Sequence, residues 1–347
     1  MCKPDVYVAG YIEMPGDGDD EAVRTISPFT GLDTTIVILS ESKYYATLWK
    51  NGVVQYLTNG TDKAYARSVF VHGDDIYVAG YEGNFAMLWI NGVAQKLTDG
   101  SVEAKANSVF VSETDVFVAG YEGEGYETEQ IAKLWKNDVA QNLTTGAVMA
   151  QATSVFVSGN DVYVAVNERG TNGGAKIWKN GVAQKLSDAS VNSVFVSGND
   201  VYVAGIIWNR LEFEKRTYFF PFAQLWKNGV AQDLVERHDI AASSKDDLSN
   251  VDVSSANSVF VSGRDVYVLG GVGTSDGKGS VTLWKNGKAK ILAEGSAYSE
   301  KSMFVHGKNV YVTEMGVNAI VYKNRKKQYL AVDETARGYG AFSVFVK

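Results

Sequence analysis

A twelve-residue segment that recurs along the chain restricts the possible folds more than any other feature of the sequence. SVFVSGNDVYVA spans Ser154–Ala165 and returns unchanged at Ser193–Ala204. When looser copies are included, each half of this segment occurs seven times in the 347 residues. Because self-similarity at a regular interval indicates one structural unit built several times, the repeat decides how the rest of the chain is interpreted.

Each repeat contains four apolar segments that end at turn signals. The segments S-V-F-V and D-V-Y-V-A-G are followed by A-x-L-W-K and then by V-A-Q-x-L. All four alternate apolar residues with a period of two and are rich in Val, Phe, Tyr and Trp, as β-strands are. Asn-Gly separates the third segment from the fourth in most repeats, and this pair favours the type I′ turn of a β-hairpin. Each repeat therefore predicts four antiparallel strands, named A, B, C and D in order.

The length of the repeat indicates the architecture, since a four-stranded unit that recurs roughly every 40–50 residues is typical of a β-propeller blade. The chain begins with a B strand at Asp5 and ends with a spare A strand at Ser343–Val346. Pairing of this last strand with the first blade would close the ring and remove two exposed sheet edges. We therefore predict an all-β, seven-bladed propeller of four-stranded antiparallel blades, closed by Ser343–Val346.

Loop lengths vary on only one face of the predicted disc. The A–B and C–D turns are short in every repeat, whereas several B–C and D–A connections on the opposite face are long. Because loops on a rigid scaffold often carry recognition, we predict that the B–C/D–A face binds a partner. We interpret the chain as a single domain with insertions at residues 11–44 in blade 1, 121–130 in blade 3, 206–222 in blade 5 and 235–255 between blades 5 and 6.

The insertion in blade 5 is predicted to form a protruding hairpin that is rich in aromatic residues. Trp208 is the only tryptophan outside the repeat pattern, and Tyr218 and Phe220 stand in the run Thr217–Phe222. These rings are candidates for a sugar-stacking or protein-docking surface. The same rings would also suit a small satellite core, and the sequence leaves both interpretations open.

A second group of candidate ligand-binding residues is predicted around the mouth of the central channel. The residue before S-V-F-V is polar in most repeats, and Tyr-Glu follows the B strand in two of them. Polar side chains around a central depression suit either a small ligand or ordered water. The mouth candidates are Arg67, Asn107, Asn192, Asn257, Lys301, Tyr81, Glu82, Tyr121 and Glu122.

The chain has few residues that suit a metal site. It contains three histidines without metal-ligand spacing and a single cysteine, so we expect no zinc. Asp17, Asp19 and Glu21 alternate as in calcium-binding loops but lack the rest of a calcium motif. We therefore expect a solvated acidic loop and no cofactor, with calcium as the alternative.

The sequence offers no recognisable catalytic motif. A nucleophile elbow, a phosphate-binding loop and a dinucleotide fingerprint are all missing from it. Carboxylates on the variable face, among them Glu82 and Glu122, leave glycosidic chemistry open because that reaction needs two nearby carboxyl groups. A ring of repeat-equivalent acids is explained more simply as a solvated rim, so we favour a protein without enzymatic activity.

Charge and hydropathy restrict the partners and the location. The net charge of −7 argues against a nucleic-acid partner, since such proteins neutralise phosphates with basic residues. No apolar run is long enough for a transmembrane helix. Cys2 fits either a free thiol in the cytoplasm or the acylated residue of a lipoprotein in the cell envelope or outside the cell. We expect a monomer in either location.

The complete repeat pattern, S-V-F-V…D-V-Y-V-A-G-Y-E…L-W-K-N-G-V-A-Q-x-L-T, resembles tandem β-propeller repeats in uncharacterised secreted or lipid-anchored proteins of Bacteroides-like bacteria. The resemblance covers nearly the whole chain outside the insertions. It implies the propeller fold and carries no catalytic residues to transfer. Together with the one-sided loop variation, it leads us to predict a recognition protein for a glycan or a protein partner. A carbohydrate-active enzyme and a structural protein of the cell envelope are the alternatives.

Overall fold

The computed structural model is a ring of β-sheets. It describes residues 3–16, 21–26, 33–38, 41–123, 129–170, 173–236, 251–296, 301–314 and 319–347. For residues 21–26 and 33–38 only the backbone is described. Within these ranges, no helix has the length and apolar character needed to cross a membrane.

Seven four-stranded antiparallel sheets, one for each predicted blade, form the ring and confirm the predicted fold class. Blade 1 contains β1 (Val6–Met14), β4 (Lys43–Lys50), β5 (Val53–Tyr56) and β30 (Gly338–Val346), and its insertion adds a separate pair, β2 (Glu21–Ile26) and β3 (Asp33–Ile38). Blades 2 and 3 contain β6 (Ala64–His72), β7 (Asp75–Glu82), β8 (Phe85–Ile90), β9 (Val93–Lys96), β10 (Ala104–Ser112), β11 (Asp115–Glu122), β12 (Ile131–Lys136) and β13 (Val139–Asn142).

The remaining four blades repeat the same strand order. Blades 4 and 5 contain β14 (Ala150–Ser158), β15 (Asp161–Glu168), β16 (Gly174–Lys179), β17 (Val182–Ser187), β18 (Ala189–Ser197), β19 (Asp200–Phe213), β20 (Arg216–Lys227) and β21 (Val230–Asp233). Blades 6 and 7 contain β22 (Asp252–Ser262), β23 (Asp265–Thr274), β24 (Lys278–Lys285), β25 (Lys288–Ser296), β26 (Lys301–His306), β27 (Asn309–Glu314), β28 (Ile320–Lys323) and β29 (Lys326–Tyr329).

The C-terminal strand closes the ring as the sequence predicts. β30 lies antiparallel to β1, with Val346 opposite Val6 and Gly338 opposite Glu13. The closing strand is longer than the predicted Ser343–Val346, because its pairing with β1 continues beyond a register shift. β1 consequently has a neighbour on each side, and the first blade acquires its A strand from the other end of the chain.

Most of the apolar core lies between the blades. At the boundary of blades 2 and 3, the fully buried Trp135 shares one cluster with Ala79 and Ala86 of the preceding blade. A large ring on one sheet that faces small side chains on the next allows the two sheets to approach closely. Fully or almost fully buried tryptophans recur at Trp49, Trp89, Trp226 and Trp284. The tryptophan of strand C is repeated because each of these blades meets its neighbour in the same way.

The insertion in blade 5 forms the predicted protruding hairpin. Strands β19 and β20 remain paired as far as Phe213 and Arg216. Between them, Glu214 and Lys215 have positive φ values of 49° and 62°, which a type I′ turn requires. The hairpin therefore extends strands B and C of the blade without a break in their pairing.

Candidate functional site

A β-bulge in strand A arranges the mouth residues around the central channel. In blade 3, Ala106 and Ser108 pair with consecutive residues of β11, and the register shifts at Asn107 between them. A bulge of this kind re-aims side chains, which explains how the adjacent Asn107 and Ser108 both face the channel. The register shifts in the same way at Arg67, Thr153, Asn192, Asn257 and Phe342.

The bulged residues line a polar cavity of about 510 Å³ at the channel mouth, which we call the bowl. Six of the nine mouth candidates line it, namely Arg67, Tyr81, Asn107, Tyr121, Asn192 and Asn257. The other lining residues are Lys105, Gln151, Thr153, Asn167, Phe342, Ser68, Ser108, Ser154, Ser193, Ser258, Ser302 and Ser343. The structure therefore brings most of the sequence-predicted mouth residues into one cavity.

The first serine of each S-V-F-V segment contributes to the floor of the bowl. The Ser108 hydroxyl accepts a hydrogen bond of 3.2 Å from the amide of Val155 in the next blade. Bonds of the same length are accepted by Ser68, Ser154, Ser193 and Ser343. Each of these hydroxyl groups has used a lone pair on the protein and keeps its proton for donation. The floor is therefore biased towards hydrogen-bond donors.

A closed belt of seven phenylalanine rings lies below this floor, two residues further along strand A. Its members are Phe70, Phe110, Phe156, Phe195, Phe260, Phe304 and Phe345, with neighbouring ring centroids 4.6–5.0 Å apart. Seven centroids at this spacing lie on a circle of about 5.5 Å radius, and non-bonded carbon atoms approach only to about 3.5–4.0 Å. The belt is too narrow for a substituted six-membered ring to pass, so a molecule of that size would reach the bowl from the B–C/D–A face.

Among the described residues that line the bowl, all of the cationic and aromatic side chains lie on one side. We call this side the cationic sector, and it consists of Arg67, Tyr81, Lys105, Tyr121 and Phe342. The guanidinium carbon of Arg67 lies 4.7 Å from the centre of the Phe342 ring, and Nζ of Lys105 lies 4.8 Å from the centre of the Tyr81 ring. Lys105 also forms a salt bridge of 2.7 Å with Glu103.

The cationic sector keeps its charge at neutral pH. Burial alone would lower the pKa of Lys105, but the hydrogen bond to Glu103 and two neighbouring tyrosines raise that pKa above its ordinary value of 10.5. Burial also raises the pKa values of Tyr81 and Tyr121, so both phenols stay protonated and can donate hydrogen bonds.

Tyrosines continue from the cationic sector towards blade 1. Tyr81 stacks on Tyr65 with 5.2 Å between ring centroids, and Tyr65 stacks on Tyr44 of β4 at 5.7 Å. Nζ of Lys63 lies 4.6 Å from the centre of the Tyr44 ring. Rings and cations therefore extend the surface beside the bowl as far as the third strand of blade 1.

The other side of the bowl is neutral and rich in amides. We call it the neutral sector, and it consists of Asn107, Gln151, Thr153, Asn167, Asn192 and Asn257. Nδ2 of Asn107 donates a 2.9 Å hydrogen bond to the carbonyl of Ala152 in the next blade, and Nδ2 of Asn192 makes the equivalent bond to Ala256. An amide that donates through its nitrogen keeps its oxygen as an acceptor for a ligand hydroxyl.

The other three mouth candidates differ from these six. Glu122 forms an ion pair with Lys133, and burial together with the nearby Asp62 raises the pKa of Glu82. Neither glutamate lines the bowl, and no carboxylate occurs among the described residues that do. Lys301 begins β26, but the structure does not describe its side chain.

The aromatic residues of the blade 5 hairpin are divided between a small core and the surface. Phe220 is only 7% exposed and shares a cluster with the buried Phe222, against which Tyr218 packs. Trp208 and Phe219 are 43% and 58% exposed. The hairpin therefore combines the two expected arrangements, with Phe220 in a satellite core and Trp208 at the surface.

Lys105 and Gln151 are two of the twelve lining residues of the bowl that are not among the nine mouth candidates. Each stands two positions before a bulged residue, and alternation along a strand places residues two apart on one side. A search for polar residues at that spacing would have found both.

The acidic segment proposed for calcium cannot be placed against the bowl. Asp17 and Asp19 lie outside the described residues, as does Cys2, and only the backbone of Glu21 is described. Within the described residues, no group of three or more His, Cys, Asp and Glu side chains has the arrangement of a metal site.

Comparison with known proteins adds information about the fold alone. No protein-family model matches the chain, and no curated protein matches its sequence. The computationally designed Ika8 protein is 15% identical, with a TM-score of 0.43 over 96% of this chain and 93% of its own. A puromycin-hydrolyzing peptidase of Mycobacterium tuberculosis is 10% identical, with a TM-score of 0.48 over 84% of this chain and 50% of its own.

A third solved structure, a puromycin hydrolase mutant complexed with PGG, is 9% identical to the chain. Its TM-score is 0.52 over 83% of this chain and 50% of its own. The chain thus spans half the length of the two hydrolases it matches. At this level of identity, the similarity concerns the fold and not the reaction.

Proposed function

We propose that the protein is a non-enzymatic recognition propeller that binds a glycan in the bowl. The observation that carries this proposal is the bowl itself, a cavity of about 510 Å³ lined by hydroxyl groups, amides and tyrosine rings. Its size falls within the range of roughly 300–1,000 Å³ that is usual for small-molecule sites. Its position at the B–C/D–A face agrees with the face on which the loops vary.

The chemistry of the bowl suits a sugar. Sugar hydroxyl groups donate and accept hydrogen bonds at once, so their sites need both kinds of partner. The serine floor supplies donors, while Asn107 and Asn192 supply amide oxygens as acceptors. Tyr81 and Tyr121 also line the cavity, and their protonated phenol groups add hydrogen-bond donors.

The arrangement of carboxylates favours binding over hydrolysis. A glycosidase places two carboxyl groups about 5–10 Å apart across the bond that it cleaves. The described residues that line the bowl include no carboxylate, and Glu122 and Glu168 are each paired with a lysine on strand C of their own blade. A sugar in the bowl would therefore contact amides, hydroxyl groups and cations, none of which is a ready general acid.

The proposal is tested by glycan-array binding followed by titration calorimetry of the best-bound oligosaccharide. Tyr81→Ala and Gln151→Ala should each weaken binding by about tenfold, since each removes a hydrogen-bonding group from the lining of the bowl. Tyr329→Ala is the matched control, because this tyrosine is 62% exposed on the outermost strand of blade 7. Thermal unfolding verifies that the variants remain folded. Failure of every saccharide to bind, or equal losses in the control, would contradict the proposal.

A protein partner at the blade 5 hairpin is the second candidate. It is favoured by the exposure of Trp208 and Phe219, since exposed aromatic residues often anchor protein interfaces. A Trp208→Ala/Phe219→Ala variant should lose a protein bound through the hairpin and keep the thermal stability of the parent. Binding that survives in this folded variant would exclude the hairpin as the docking surface.

A further inference from the structure

We propose that the bowl selects an acidic saccharide and holds its carboxylate in the cationic sector. This inference rests on the proposed function and specifies the class of sugar. Its starting point is an imbalance of charge: Arg67 and Lys105 line the bowl, and no carboxylate does among the described residues. A sugar carboxylate placed there would meet positive charge on one side and hydroxyl donors on the floor.

The local charge contrasts with that of the whole protein. The chain carries a net charge of −7, yet this cavity presents two cations. Two acids of blade 3 are already paired, Glu103 with Lys105 and Glu122 with Lys133. Clefts that concentrate one sign of charge attract ligands of the opposite sign. An anion therefore gains more from this site than a neutral sugar of the same shape.

The two cations carry donors that suit a carboxylate. An ammonium group has three donors, so Lys105 can keep its salt bridge to Glu103 and still donate to a ligand oxygen. The guanidinium of Arg67 packs on the face of Phe342, and its planar fork of N–H donors matches the two oxygens of a carboxylate. Charge-assisted hydrogen bonds of this kind are about twice as strong as neutral ones.

The serine floor strengthens the preference for an anion. Ser68 directly follows Arg67, and its oxygen already accepts the amide of Val109. Ser108 likewise accepts the amide of Val155. Both hydroxyl groups are therefore better placed to donate a hydrogen bond than to accept one, and a carboxylate has only acceptors to offer them.

The rest of the bowl orients the sugar. The neutral sector provides amide oxygens for hydroxyl groups, whereas the cationic sector adds the rings of Tyr81 and Tyr121 beside its charges. A uronic or sialic acid has both features on one ring, an acidic group and several hydroxyl groups. We therefore expect its carboxylate to point to blades 2 and 3 and its hydroxyl groups to blades 4 to 6.

The test compares acidic oligosaccharides with their carboxyl-reduced forms by titration calorimetry. The probes are a galacturonic acid trisaccharide, a glucuronic acid disaccharide and sialyllactose, each paired with the same sugar whose carboxyl groups are reduced to alcohols. At least one acidic form should bind the wild-type protein about tenfold or more tightly than its reduced form. The preference should shrink as salt is raised, because ions screen partly exposed charges.

Substitutions in the cationic sector test whether its two cations cause the preference for the acidic sugar. Arg67→Gln/Lys105→Gln should weaken binding of the acidic sugar far more than binding of its reduced form, so that the preference for the acid falls to about twofold or less. The matched control is Arg264→Gln/Lys308→Gln, since these exposed residues lie in A–B turns on the opposite face. In the control the preference should remain.

The outcomes separate the inference from the proposed function. Equal binding of acidic and reduced forms would overturn acid selection and leave a glycan site intact. A preference that persists in the Arg67→Gln/Lys105→Gln variant would also overturn it, because the acid would then be recognised elsewhere. No binding of any probe or of any arrayed glycan would overturn both. If the folded double variant lost binding to both the acidic and the reduced sugar, the two cations would contribute to the binding of any sugar. Their role in selecting the acid would then be overturned.

Discussion

Asn180 and Asp161 are joined by a hydrogen bond of 2.7 Å, in which the side-chain amide of Asn180 donates to the Asp161 carboxylate. The side-chain oxygen of Asn180 also accepts the amide of Val162 at 2.8 Å. The turn between strands C and D therefore holds the start of strand B in the same blade. Equivalent pairs are Asp5–Asn51, Asp75–Asn91, Asp115–Asn137, Asp200–Asn228, Asp265–Asn286 and Asn309–Asn324. This contact explains why D-V-Y-V and W-K-N-G are copied so faithfully.

The pair predicts how stability changes in acid. Hydrogen bonds from Lys179 and Asn180 lower the pKa of Asp161 below its ordinary value of 3.8. A lowered folded-state pKa means that the carboxylate stabilises the fold above pH 3.8, and that this contribution is lost as the pH falls through the lower value. Asp161→Asn keeps an acceptor, as Asn309 does in blade 7, but loses the negative charge. The variant should therefore be less stable than wild type at neutral pH, and the difference in stability between the two proteins should shrink in acid.

Urea unfolding of wild type and Asp161→Asn, followed from neutral pH to about pH 2, measures this effect. Asp138→Asn serves as the charge-matched control, because Asp138 is an exposed turn residue without an equivalent partner in the contact described above. A difference in stability that stays constant or widens as the pH falls would show that the Asp161 carboxylate does not stabilise the fold in this way.

The turn of blade 3 offers a stabilising substitution. Asp138 has a φ of 68°, at the position where most other blades carry glycine. A non-glycine residue in the left-handed region is strained by about 1–2 kcal/mol. Glycine removes this strain, but its greater entropy in the unfolded state cancels part of the gain in stability. Asp138→Gly should raise the free energy of unfolding by about 0.5–1 kcal/mol. Gly181→Ala, at a φ of 85°, should lower the free energy of unfolding. Denaturant unfolding measures both effects, and a decrease for Asp138→Gly or an increase for Gly181→Ala would refute the argument.

The closing strand predicts a strong effect of truncation. Removal of residues 338–347 leaves the edge of β1 without its partner, and exposed strand edges pair with other chains. The truncated protein should lose cooperative unfolding and self-associate, as measured by calorimetry and light scattering.

A circular permutant is the control for this truncation. The amide and carbonyl of Lys347 exchange two hydrogen bonds of 3.0 Å with those of Asp5, so the two ends meet as the ends of a hairpin do. Residues 338–347 joined by a short Gly-Ser linker to residue 3 should therefore restore a cooperative monomer. A permutant that still aggregates would mean that the closing strand is not the cause.

The fold could be predicted from the sequence because its determinants are local and repeated. Period-two alternation and Asn-Gly turns specify strands within a few residues, and seven copies reinforce one another. The bulge at Asn107 is different. The polar character of Asn107 marks it as a mouth residue, but only the pairing of β10 with β11 explains how the adjacent Ser108 faces the same cavity. The aromatic hairpin shows the same limit, since Phe220 shares its cluster with Val251, which directly precedes β22 of the next blade, and with Val253 within that strand.

The tyrosines beside the bowl predict a loss of stability in alkali. Burial, followed by the neighbouring phenols, raises the pKa of Tyr65 far above its ordinary value of 10.0. A raised folded-state pKa means that its contribution to stability is complete below pH 10 and is lost as the pH rises towards the folded-state value. Tyr65→Phe keeps the ring stack on Tyr81 and removes the titrating group, so its stability should fall less between pH 7 and about pH 11 than that of wild type. Tyr329→Phe, at an exposed tyrosine, is the control. If denaturant unfolding showed that wild type loses no more stability over this pH range than Tyr65→Phe does, the burial of the Tyr65 phenol would be contradicted.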